Sequence, residues 1–351
     1  MFLSFKEKIL TKSNSYNFYK EQNERLLKEN ESLKTELERL KNKKNDGLRD
    51  EYIKSYSHAG SFCNWSYIDY YFRDDFEDKF KEVTGNLSGQ SKNAFKWIFL
   101  RVLAVNFISR PSLYFDHELN EQKEFTEFKK SNSNKNEIAG FKFEGDYNIH
   151  AFIDLHLTEA DKEFIKNRDI IDAGAFTGDT SLPLSKITDK NVYAFEPFAD
   201  SFELLNKNIA DNSVENIIAI NKSLGNINGE RTLYLAGTNV QGLTSKPDIR
   251  PYDNEIKVEE TTLDKFVEEN NLDVGYITID VEGAELDLLN GAINTIKTQK
   301  PILSISIYHS VNDYFEIIPW VANLDLGYEF EVFKEQPWPF LGDTVVQCRA
   351  K

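Results

Sequence analysis

The chain has 351 residues, a net charge of −16 and 40% hydrophobic residues, with 26 Phe and 16 Tyr, so it can fill a core and is long enough for more than one folded unit, single cores reaching about 250 to 300 residues. The acidity argues against a broad phosphate-backbone footprint, and nucleic acid is not the expected partner. Cys63 and Cys348, the only cysteines, offer neither a disulfide framework nor a zinc pattern, which suits a reducing, cytoplasmic setting.

Charge interrupts the first residues, Met1 to Lys8, too early for a signal peptide's apolar region. From Tyr16 to Lys44 the chain is charged, lacks Gly and Pro, and repeats in heptads. Leu26, Leu33 and Leu40 fall at d after Tyr19, and Asn23, Asn30 and Leu37 at a. This predicts a short coiled coil in an N-terminal segment, 1–46; the alternative is a solitary solvated helix. Asparagine at a favours a two-stranded dimer, so the segment is expected to form a homodimer or to dock onto a partner enzyme. Residues 47–135 are rich in aromatics (Tyr52, Tyr67, Tyr70, Phe76, Phe80, Phe95, Trp97 and Phe99 among them) and are expected as a helical subdomain whose rings pack a core; a sugar-stacking surface is the alternative. Trp97 to Ile108 is the longest apolar stretch. It carries Arg101 and is too short for a bilayer of about 30 Å, so a buried helix and no transmembrane segment are expected. The polar run 129–136 marks a linker.

Beyond it the pattern becomes that of alternating strands and helices. Ile170-Ile171-Asp172 ends a strand, and Gly174 and Gly178 carry the backbone through a turn into a helix. Asn191 to Phe195 is a second apolar strand ending in Glu196, an acid able to accept hydrogen bonds from both hydroxyls of a ribose. A dinucleotide site wants G-x-G-x-x-G. Here the spacing is Asp172-x-Gly174-x-x-x-Gly178 with Asp179 behind it, and an acid at the helix start suits an amino group and a sulfonium better than a pyrophosphate. S-adenosylmethionine is therefore expected rather than NAD. Further strands are expected at 216–223, 231–236, 257–261, 275–279, 301–308, 327–333 and 344–348, with helices at 198–210, 262–269 and from Glu285.

Four segments occur here in the order seen in FkbM-family methyltransferases: Asp172-Ala173-Gly174-Ala175-Phe176-Thr177-Gly178-Asp179-Thr180, Phe195-Glu196-Pro197, Thr262-Leu263-Asp264-Lys265-Phe266 and Ile279-Asp280-Val281-Glu282-Gly283-Ala284-Glu285. The chain resembles that family from about Ile138 to its end. The resemblance implies a Rossmann-like α/β class I methyltransferase domain at 136–351, with a seven-stranded sheet ending in an antiparallel edge. It also implies methyl transfer from S-adenosylmethionine to a hydroxyl of a sugar or glycan. Two other readings stand beside it: an NAD-dependent sugar-modifying oxidoreductase, and a non-catalytic coiled-coil scaffold that has kept the fold.

The expected cofactor residues are Asp172, Gly174, Phe176, Gly178, Asp179, Thr180, Glu196, Phe198 and Ser223. Backbone at Gly174 lies against the methionine part, Glu196 holds the ribose, and Phe198 and Ser223 border the adenine; helix capping is the plainer use of Asp179 and Thr180. Asp280 and His309 each close a predicted strand at the sheet's carboxyl edge and are the candidates for deprotonating an acceptor hydroxyl. An ordinary imidazole titrates near 6.5 and suits that task, although a strand-end histidine also serves structure. No metal is expected; Asp280 and Glu282 are the pair with the chemistry to bind a divalent cation.

Overall fold

Near residue 130, where the aromatic-rich stretch gives way to alternating apolar runs, helices give way to strands. The computed structural model describes residues 65–71, 73–108, 127, 130–131, 133–134, 137–147, 149–152, 155–235, 244–247, 252–334 and 343–350. The heptad segment and Cys63 lie outside the described residues.

Among the described residues three helices come first: α1 (Trp65–Tyr71), α2 (Phe76–Asn86) and α3 (Gly89–Ile108). Strands β1 (Ser133–Asn134), β2 (Glu137–Ile138) and β3 (Phe141–Lys142) form a small antiparallel sheet. Then come α4 (Glu159–Ile165), β4 (Asp169–Ala173), α5 (Ser181–Leu184), β5 (Val192–Phe195), α6 (Ala199–Asp211) and β6 (Ile217–Ile220). A second sheet follows from β7 (Ser223–Leu224), β8 (Gly229–Leu235) and β9 (Asn254–Thr261). The chain continues through α7 (Leu263–Asn270), β10 (Val274–Ile279), α8 (Glu285–Asn290), α9 (Ile293–Gln299) and β11 (Ile302–Ser306). It ends with α10 (Val311–Ala322), β12 (Tyr328–Lys334) and β13 (Thr344–Ala350).

The main sheet has seven strands in the order β12-β13-β11-β10-β4-β5-β6. Strands β11, β10, β4, β5 and β6 run parallel, and β13 is antiparallel to both β11 and β12. This is the expected sheet with its antiparallel edge. Buried central strands read as near-continuous apolar runs because helices cover both faces. All five residues of β4 are buried, as are five of the six in β10. Strand β9 is longer than expected and pairs with β8 as a hairpin and with β7 in parallel.

The residues expected as a separate helical subdomain share a core with the sheet domain. Residues 64–351 form one compact unit, so the boundary expected near residue 135 does not divide two such units. The physical reason is aromatic burial. Phe95 stacks on Tyr314 of α10 at 4.2 Å, Tyr70 stacks on Phe315 at 4.3 Å, and Phe76 and Phe99 lie 5.4 Å apart. The Tyr314 hydroxyl donates to the Phe95 carbonyl at 2.7 Å, giving that buried polar group its partner. Core packing is thus the use of Tyr67, Tyr70, Phe76, Phe80, Phe95 and Phe99, while Trp97 is exposed.

One motif of the resemblance proves architectural. The Asp264 carboxylate accepts the Asn294 and Thr295 backbone N–H groups at 2.9 and 2.7 Å, tying α7 to the start of α9. No helix among the described residues is long and apolar enough to cross a membrane.

Candidate active site

Strand register builds the site. Ala173 pairs with both Phe195 and Ile279, and Ile279 also pairs with Ile305. The residues next along these strands, Gly174, Glu196 and Asp280, therefore emerge together at the carboxyl edge, where open α/β sheets hold ligands. Three sequence marks spread over more than a hundred residues become neighbours through one row of strand pairing.

The first turn needs its glycine for a reason the sequence did not show. Gly174 has φ +86°, and a Cβ built there falls 1.9 Å from the Asp280 carbonyl oxygen. The close approach is by the chain's own β10 end. Phe176 also has positive φ, 47°, and its N–H donates to Glu196 Oε2 at 2.9 Å. The turn is anchored from below by buried Asn208 of α6, whose side-chain amide donates to the Thr177 and Glu144 carbonyls at 2.8 and 2.9 Å. Gly178 has φ +93°. Asp179 is buried, and its Oδ1 accepts the Thr180 N–H at 3.1 Å. Thr180, the N-cap of α5, makes no side-chain capping bond, and the Asp179 bond reaches only the N-cap's own N–H.

Glu196 is buried, with one oxygen held by the Phe176 N–H and the other by the Phe198 N–H at 2.8 Å. Each carboxylate oxygen accepts more than one hydrogen bond, so the head is fixed in place with acceptor capacity to spare. Burial pushes its pKa up to about 8, the two N–H groups working against this and the charges of Asp172 and Glu282 adding to it. Asp172 accepts a 2.5 Å hydrogen bond from the Ser181 hydroxyl. Burial raises it to about 7, with Asp179 and Asp280 adding to the rise.

Both groups hold protons more tightly in the folded chain than in the unfolded one, where carboxyls titrate near 4. The folded state therefore binds more protons between about pH 4 and 8, and stability falls as pH rises through that window. The ligand-free protein should accordingly melt at a lower temperature at pH 8.5 than at pH 5.5 in scanning calorimetry. A higher melting temperature at pH 8.5 would refute these shifts.

The second cluster surrounds His309, just beyond β11. Its Nδ1 lies 2.8 Å from Glu285 Oε1, and its Nε2 faces Asp280 Oδ1 at 3.3 Å and Glu282 Oε2 at 3.6 Å. Burial alone lowers the imidazole pKa, but the charges of Glu285, Glu282 and Asp280 override it and push the ring up to about 10. At neutral pH the ring already carries its second proton, so the expectation of a base titrating near 6.5 does not hold for this ring. Tyr308 donates its hydroxyl to Asp280 Oδ2 at 3.3 Å. Glu282 and Gly283 have φ values of 54° and 96°, and Thr244 donates to the Glu282 carbonyl at 2.7 Å. The aromatic core braces this corner: Tyr67 donates to the carbonyl of Ser310, the residue that caps α10, at 3.1 Å.

Two expected cofactor residues have other partners. Phe198 packs against the Leu233 and Leu235 cluster of the second sheet. Ser223 belongs to β7, where its hydroxyl approaches the Glu259 carbonyl and Glu260 Oε2, each at 3.4 Å. Ser181 and Glu285 were missed as site residues. Glu285 ends the Ile279–Glu285 motif, but only the turn through Gly283 brings its side chain back to His309. Nothing in the spacing marked Ser181.

A comparison with curated proteins found no match. A family model described as the methyltransferase FkbM domain matches residues 172–335. Among solved structures, a methyltransferase FkbM from Methylobacillus flagellatus KT is similar over 81% of this chain and 62% of its own, at 17% identity and a TM-score of 0.50; at that identity it speaks for the fold alone. This chain thus spans less than two thirds of that protein. An rRNA methylase from Streptococcus thermophilus (13% identity, 54% of this chain and 94% of that one, TM-score 0.34) and fibrillarin from Aeropyrum pernix with natively bound S-adenosyl-L-methionine (14% identity, 52% and 66%, TM-score 0.30) also match, at scores that carry no argument. Sheet order, strand-end turn and family model agree in matching residues 172–335 to the methyltransferase FkbM domain.

Proposed function

We propose that the protein is an S-adenosylmethionine-dependent O-methyltransferase whose acceptor is a hydroxyl of a sugar or glycan. The observation that carries the cofactor is Glu196, a buried carboxylate with each oxygen fixed by one backbone N–H and with further lone pairs for the paired hydroxyls of a ribose. S-adenosylmethionine supplies the methyl group as an electrophile on its sulfonium. The chain's part is largely positioning, which in well-oriented systems recovers about 7 to 11 kcal/mol of barrier. Asp172 and Asp179, whose carboxyls a bound ammonium would favour in the ionised form, and the Gly174 turn would border the amino-acid end. Asp280 and Glu282 would receive the acceptor's proton, with the already protonated His309 ring facing both, and the net charge of −16 favours a small neutral acceptor over nucleic acid. The heptads of 1–46 serve pairing or docking to a glycan-synthesis enzyme.

The test is calorimetric titration with S-adenosylhomocysteine and, in parallel, NAD. Saturable binding of the first alone is expected. Binding of NAD alone moves the protein to the oxidoreductases, and binding of neither leaves the scaffold reading.

A further inference from the structure

The His309 corner has a feature that general-base chemistry leaves unused. The ring is 3% exposed in its side chain, and Nδ1 is occupied by Glu285, itself fully buried and also accepting the Val281 N–H at 3.1 Å. Nε2 is buried and makes no hydrogen bond, as does Glu285 Oε2. Yet Nε2 faces the Asp280 and Glu282 carboxylates, at 3.3 and 3.6 Å, and these two side chains are 47% and 30% exposed. Asp280, Glu285 and His309 each offer a ligand atom within 4.8 Å of the others.

We propose that Nε2 of His309, Asp280 and Glu282 bind a divalent transition cation, with Glu285 as the positioning residue behind the histidine. The separations fit. Two ligand atoms at about 2.1 Å from one ion, at right angles, stand about 3.0 Å apart, close to the distances from Nε2 to the two oxygens. The cation displaces the Nε2 proton that the ligand-free ring carries at neutral pH, and the other side of the ring fits as well. A metal-bound histidine generally gives its other N–H to a carboxylate, which fixes the tautomer and raises the basicity of the ligating nitrogen. Glu285 occupies that place, and its own orientation is held by the Val281 N–H. One imidazole with two carboxylates suits Mn²⁺ and its neighbours better than Ca²⁺, whose ligands are all oxygen. The half-exposed carboxylate side leaves positions open to water or to a hydroxyl.

The strained turn serves this arrangement. Positive φ at Glu282 and Gly283 folds the chain back so that Glu282 and Glu285 reach the same ring from its two nitrogens. A cation here lowers the pKa of a hydroxyl bound to it, and the released proton passes to a neighbouring carboxylate or to water. That catalytic use rests on the methyltransferase reading; the site itself rests on geometry.

The experiment is titration of chelator-treated full-length protein with Mn²⁺, followed by electron paramagnetic resonance of the free ion and by calorimetry. S-adenosylhomocysteine is titrated into the same samples. One saturable Mn²⁺ site is expected, weakened at least tenfold by Asp280→Asn and by His309→Gln, and about 10- to 100-fold by Glu285→Gln, the range for groups that orient a ligand. Glu230→Gln, on the exposed face of the second sheet, should bind Mn²⁺ as the parent does. The S-adenosylhomocysteine titration reports whether each variant is folded. A protein that binds S-adenosylhomocysteine but takes up no Mn²⁺, or holds it equally well in all three variants, overturns the metal site and leaves the methyltransferase reading standing. Mn²⁺ binding with these losses but no S-adenosylhomocysteine binding keeps the site and removes its catalytic use.

Discussion

Replacing Glu196 with Ala should weaken S-adenosylhomocysteine binding by on the order of 100-fold. At pH 8.5, where the carboxyl is ionised, hydrogen bonds to a charged group contribute about 1.5 to 3 kcal/mol each, and two ribose hydroxyls on one carboxylate reach about 3 kcal/mol, or two decades of affinity. Alanine also strips the acceptors from the Phe176 and Phe198 N–H groups, loosening the turn between them. Glu196→Gln separates these effects. It fills the same volume but presents an NH₂ where one N–H or one hydroxyl needs an acceptor, so a loss of about 10- to 100-fold is expected with the fold retained. Because the carboxyl titrates near 8 in the folded chain, its ionisation costs stability at high pH. The Gln variant should therefore melt above the parent at pH 8.5 while binding more weakly, a trade of stability for function. Calorimetric titration and thermal melts check both halves, and unchanged affinity in both variants would remove Glu196 from the cofactor site.

Gly174→Ala should be more damaging to the fold than any other single methyl at this edge. The new Cβ sits 1.9 Å from the carbonyl oxygen of Asp280, with φ at +86°. Neither can relax cheaply, because Gly174 N–H donates to Phe195 and Asp280 N–H donates to Ala173, both at 3.0 Å. Relief requires β4 and β10 to part at the point where they carry the site. Overpacking and a left-handed non-glycine residue each cost about 1 to 3 kcal/mol. The sum, about 3 kcal/mol or more, lowers the melting temperature by roughly 6 to 12 °C in a domain of this size. Binding of S-adenosylhomocysteine should fall with it. Gly85→Ala is the control: it lies inside α2 with nothing within 4 Å of its Cβ position, and should be neutral or stabilising. Equal melting temperatures for the two variants would show that the Gly174 contact carries no strain.

Much of the architecture was legible because its signals are local. Buried parallel strands announce themselves as β-branched and apolar runs, and β4, β5, β10, β11, β12 and β13 lie where those runs are. The acids at strand ends were legible too, since Glu196 and Asp280 directly follow such runs. The length of α5 was not. Neither was the packing of α1 to α3: an aromatic run shows that a face is buried but not what buries it, and here Tyr314 and Phe315, more than two hundred residues away, supply the partner surface.

The sequence by itself determined the strands, the strand-end acids, the glycine turn and, through motif order, the family of residues 172–335. Tertiary structure alone decided what those residues do to one another. It showed that Gly174 makes room for the Asp280 carbonyl, that Ser223 belongs to another sheet, and that His309 sits among three carboxylates that raise its pKa instead of leaving it an ordinary imidazole. The reason is physical: strand propensity and turn chemistry act over a few residues, whereas close approach, burial and pKa depend on which distant segments the sheet register places side by side.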